Sequence, residues 1–162
     1  MLFFQRIKPT ILTLYFLLIG TGFGAVIVSG AFVAPSIFGA VAIVSDLEIT
    51  LLQSGILMTS IFVKVNFLLN ILAFCIIFFE ILNFRINSAK IAPIFGLLSV
   101  ILIFLFTLYY TPIILKAQSI GEKGIQTDLF HMAHKYSVIV FKVLIFTLLG
   151  LFIARIYPLF KR

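Results

Sequence analysis

Two histidines about one helical turn apart, His131 and His134, stand at the head of the last apolar stretch, followed by Lys135, Ser137 and, inside the stretch, Lys142. Side chains of these kinds ligate metals, carry protons or hold anions. A metal needs three or four donors. No further His exists in the chain, no Cys or carboxylate falls at ligand spacing, and Met132 alone does not make a copper site. Haem held by two histidines would want them on facing helices, so that reading also starts weak. Ser36, Ser60, Ser137 and Cys75 stand alone, with no base placed to activate them. The residues point to no cofactor and away from an enzyme; a proton-handling or headgroup-binding role for the histidines stays open beside that of a polar cap.

The lysines carry more of the argument. At about 100° per residue His131, Lys135 and Lys142 share a face within about 40°, with His134 about 60° to one side. On an earlier apolar stretch Gln53, Ser60 and Lys64 share a face in the same way, while Asn66 and Asn70 occupy another. At about 1.5 Å per residue, Lys64 and Lys142 both fall roughly 8–10 Å below the same membrane surface. No carboxylate is expected at that depth, because Glu80 belongs near the opposite surface. A lysine in hydrocarbon is unfavourable by about 2.5–3.5 kcal/mol on insertion scales, so the two must snorkel, deprotonate or meet an anion. The spacing predicts a basic pocket built from Lys64, Lys142, His131, His134, Lys135, Gln53, Asn66 and Asn70.

What positions these residues is a membrane. Of 162 residues 63% are hydrophobic and 10% charged, against roughly 45–50% and about 25% in a soluble domain. Apolar runs of the roughly 20 residues needed to cross hydrocarbon fill most of the chain. The expectation is one all-α integral membrane domain over residues 1–162, a four-transmembrane-helix bundle with spans near 11–34, 55–82, 91–115 and 133–157. A first span of this length is read as retained rather than cleaved as a signal peptide. The second, with helix from about Thr50, exceeds one bilayer thickness and carries an unusual polar load. Residues 116–130 read as a solvent-exposed loop.

Within the first span Gly20-Thr21-Gly22-Phe23-Gly24 resembles a phosphate loop, but no strand precedes it. Gly20 and Gly24, four apart, are instead expected to let a neighbouring helix approach closely. Pro35 is expected to end the span. Tyr109 and Tyr110 near the end of the third fit an interfacial aromatic belt.

The net charge of +7 does not indicate nucleic acid, since the cations sit mostly at span ends. Arg6, Lys8, Arg85, Lys90, Arg155, Lys161 and Arg162 gather on one side. Lys116, Lys123 and Lys135 lie on the other with four carboxylates. The positive-inside rule then makes both termini cytoplasmic.

Ala34-Pro35-x-x-Phe38, Thr111-Pro112, and Phe130 near His134-x-x-Ser137, in that order and spread over nearly the whole chain, resemble an uncharacterised family of four-helix membrane proteins. This domain-of-unknown-function group includes a eukaryotic member associated with platinum-drug resistance. The resemblance implies a four-span bundle in a bacterial inner membrane and no established activity. Where such a chain is expected to carry a polar residue one to two turns after Ser137, this one has Phe141 and then Lys142.

Two classes of function follow. One is the handling of a small solute or an anionic lipid through a basic pocket open to the periplasmic side. The other is a non-catalytic accessory or assembly subunit, with a homo-oligomer or a membrane complex as partner; a membrane oxidoreductase is a weaker third.

Overall fold

The computed structural model describes residues 2–44, 46–84 and 91–160. Among these every regular element is helical: α1 (Leu2–Ile27), α2 (Ala34–Phe38), α3 (Ala40–Ile43), α4 (Leu51–Phe84), α5 (Ile91–Phe104), α6 (Thr111–Ser119), α7 (Glu122–Ile125) and α8 (Asp128–Phe160). Two wide π-helical turns, Val28–Val33 and Leu105–Tyr110, join α1 to α2 and α5 to α6. Four helical stretches are long and apolar enough to cross a membrane: Pro9–Phe38, Leu51–Leu82, Ile91–Ser119 and Asp128–Pro158. In hydrocarbon every backbone amide must find its partner within the segment, which is why the chain resolves into helices. The expected four-span membrane bundle is the observed architecture.

The spans are longer than the composition alone marks. Pro35 does not end the first one. A proline in a regular helix clashes with the carbonyl four residues back; here a π-turn widens the backbone just before it, and the Ala34 amide reaches Ser29 O. The third span passes Pro112 by the same device, the Thr111 amide bonding Phe106 O. Much of the expected loop 116–130 is helical as well. Gly121, at φ 82°, supplies the left-handed step after α6, and α8 begins at Asp128 with Thr127 Oγ1 accepting from the Phe130 amide at 3.3 Å. Arg85, Lys90, Lys161 and Arg162, used above for orientation, lie outside the described residues.

The spans pack in the order α1, α4, α5, α8, with α8 closing back on α1. Ile19, Leu69, Leu72, Ile76, Ile103, Leu144, Leu148 and Leu151 are fully buried at the centre. Close approach in the first span falls on Gly22. A Cβ there would collide with Leu72 Cδ2, while one on Gly20 or Gly24 would meet nothing within 4 Å. The expected packing role of Gly20 and Gly24 is therefore corrected: Gly22 continues the buried stripe Tyr15, Ile19, Gly22, Val26, and its neighbours two residues away point elsewhere.

A candidate binding cavity and a buried ion pair

The end of the bundle away from the chain termini, the distal end, holds a cavity of about 610 Å³, within the range of pockets that enclose small ligands. The first π-turn, α2, the start of α4, α6 and the first half of α8 surround it. Most of its wall is apolar, including Leu52, Met58, Ile114 and Val138. Its floor is aromatic. Phe62, Phe106 and Phe141 contact one another edge-on or tilted, with ring centroids 4.9–5.5 Å apart. Three different spans thus meet in one plug. Gly30 leaves room for it, since a Cβ there would come within 3.1 Å of the Phe141 ring.

Seven polar side chains reach the wall: Thr59, Thr111, Gln118, His131, His134, Ser137 and Lys142. Several are already partnered. Gln118 Nε2 donates to Thr59 Oγ1 at 3.0 Å, and Thr59 Oγ1 to Gly55 O at 2.8 Å. Ser137 Oγ donates to His134 O at 2.7 Å. Phe130 stacks its ring on His134 at 5.9 Å and meets His131 edge-on at the same distance. Lys142 has no carboxylate partner among the described residues. The wall therefore offers hydrocarbon contact, two imidazoles and one uncompensated cation.

The expected pocket differs from the observed one in membership. His131, His134 and Lys142 line the cavity together with Ala34, Phe38, Thr111 and Ser137, while Pro35 and Pro112 remain on the exterior. Lys64 does not line it. The cavity face of α4 runs through Gly55, Met58, Thr59 and Phe62, and Lys64 lies about 200° round the helix from Phe62, exposed on the far side. Lys135 is likewise exposed and away from the wall. Gln53 closes a capping box: its Oε1 accepts from the Thr50 amide at 2.8 Å, and its own amide donates to Thr50 Oγ1 at 3.2 Å. The amides of α4 turn toward the third span. Asn66 Nδ2 donates to Thr111 Oγ1 at 2.9 Å, and Asn70 Oδ1 accepts from Thr107 at 2.8 Å. With Thr59 and Gln118 they form a ladder of three polar cross-links between the second and third spans.

The terminal end holds a site that sequence reasoning missed. Arg155 of α8 grips the carboxylate of Glu80 on α4, Nε to Oε1 at 3.1 Å and Nη2 to Oε2. Their side chains are 8% and 13% exposed. Tyr15 of α1 donates its hydroxyl to Glu80 Oε1 at 3.1 Å and stacks on Phe79 at 3.8 Å, while the guanidinium lies 5.4 Å over the Phe79 ring. Three spans are stapled through one carboxylate. A signal was present: Glu80 is the one acidic residue inside an apolar stretch, and an intramembrane charge demands a partner.

Among the described residues no three His, Cys, Asp or Glu side chains gather as a metal site. No curated protein and no solved structure matches the chain. Residues 17–123, about two-thirds of the sequence, match a domain of unknown function, DUF4149, covering the first span from Leu17 onward, the whole second and third spans, and the distal cavity walls that they contribute. The chain belongs to the DUF4149 family, whose members are grouped by a domain of unknown function.

Proposed function

We propose that this multi-pass membrane protein binds an anionic amphiphile in its distal cavity and handles it as a carrier or holding site. The observation that carries the reading is the pairing of a largely apolar wall with Lys142, whose charge has no carboxylate partner among the described residues. An acyl or similar chain would fill the apolar volume, and an acidic head would neutralise the cation. His131 and His134 stand near the cavity's distal rim as further hydrogen-bonding groups. The family resemblance supports a bacterial inner-membrane setting and the charge distribution supports cytoplasmic termini, so that the cavity belongs to the periplasmic half. Kinship with the eukaryotic protein associated with platinum-drug resistance belongs to the same proposal.

Native mass spectrometry of the purified protein with lysophosphatidylglycerol and lysophosphatidylcholine tests the reading. The acidic lysolipid binds more tightly, and Lys142→Leu weakens it by about tenfold, the worth of one charge-assisted contact. Equal binding of the two headgroups, or full binding by the Lys142→Leu variant, sinks it.

A further inference from the structure

We infer that the distal cavity is loaded sideways, from the bilayer, through a window between the first span and the last, and that its occupant is an acyl chain of an acidic phospholipid. This rests on the anionic-amphiphile reading above.

The window follows from how the first span packs. Its terminal half, α1, lies against both α4 and α8; beyond the π-turn, α2 rests on α4. The Phe141 ring, reaching to Gly30, marks the lower edge of the gap that this leaves. Ala31 on one side and Val138 and Lys142 on the other line the cavity and are themselves exposed. Exposed wall residues on these two neighbouring spans mark an opening between them. These residues fall inside Pro9–Phe38 and Asp128–Pro158, with Lys142 about 21 Å along the last span from Asp128, so the opening faces hydrocarbon rather than water.

Charge names the headgroup. Lys142 stands at the window edge, and an exposed lysine at bilayer depth extends its ammonium toward the headgroups. A phospholipid whose head pairs with that ammonium has its chain beside the opening. The aromatic floor of Phe62, Phe106 and Phe141 makes the cavity blind, so a chain that enters stops there.

The chain contains no tryptophan, so a single introduced indole reports without background. Met58 is 3% exposed and lines the cavity, so an indole placed there is shielded from bulk lipid unless a chain comes in. Met58→Trp is reconstituted in phosphatidylcholine nanodiscs carrying phosphatidylglycerol brominated on its acyl chains, or the same fraction of brominated phosphatidylcholine. The expected result is stronger quenching by the brominated phosphatidylglycerol, none by aqueous iodide, and loss of most lipid quenching when Ala31→Phe narrows the window. Ile114→Trp, on another wall, replaces Met58→Trp if that variant does not fold. Quenching by iodide but not by lipid, equal quenching by the two lipids, or no quenching at all overturns the inference. If the lysolipid headgroup preference persists in any of those cases, the binding reading stands and only the route and occupant fall. If that preference is absent, the reading itself has failed, whatever the indole shows.

Discussion

Arg155 and Glu80, 75 positions apart in the chain, meet in a two-pronged ion pair that ties the last span to the second, and Tyr15 of the first span donates to the same carboxylate. The pair is nearly buried, so removing one partner strands the other charge in a poor solvent. Arg155→Leu is expected to destabilise the bundle by roughly 3–5 kcal/mol. Combining it with Glu80→Gln recovers much of that loss. Unfolding in mixed detergent micelles measures the cycle, and strictly additive losses would refute the coupling.

Gly22, not its neighbours, sets the distance between the first and second spans. Gly22→Ala drives a methyl into Leu72, a fully buried side chain with little room to yield, at about 1–3 kcal/mol. Gly20→Ala and Gly24→Ala change little. Thermal melts of the three variants should separate them; in a Leu72→Ala background the Gly22→Ala penalty should shrink.

The amide ladder is structural. Asn66→Leu and Asn70→Leu each remove one cross-link to the third span and should lower stability by about 0.6 kcal/mol and at most about 1.7 kcal/mol. Asn70→Leu should leave the lysophosphatidylglycerol affinity as it was. A tenfold drop in that affinity would move this asparagine from scaffold to site.

The two membrane lysines should behave differently. Lys64→Leu, on the face of α4 away from the cavity, leaves acidic lysolipid binding intact while Lys142→Leu weakens it. Gln53→Leu opens the capping box and lowers stability by about 1 kcal/mol without touching affinity. Titrations of the three variants side by side decide this.

Composition and run length were enough to reveal four spans, because a bilayer imposes one length and one backbone solution on every crossing. Facing was harder. A helix in lipid is apolar toward its neighbours and toward the membrane alike, so Leu72 in the core and Phe74 on the lipid face look the same in the sequence. The polar residues gave a partial guide. Shared helical angle correctly set Asn66 and Asn70 apart from Lys64, but it could not reveal that Thr107 and Thr111 were their partners. Gln53 was legible in hindsight: Thr50-x-x-Gln53 before an apolar run is a helix-start signature. The Glu80–Arg155 pair needed only the demand already made of the lysines, that a charge in hydrocarbon be answered. Phe141, which stands out where a polar residue was expected, is part of the cavity floor.

Each π-turn holds one residue more than a regular turn, and so shifts the phase of everything beyond it by about 100°. In the first span the stripe that buries Tyr15, Ile19, Gly22, Val26 and Ser29 would otherwise continue to Val33; the extra residue brings Ala34 to the cavity instead. In the third, the same offset carries Thr111 to Asn66 and to the wall. The two prolines mark where the helical count is reset, and a single-residue deletion within either π-turn would rotate α2 or α6 off the cavity while leaving the rest of the bundle in register.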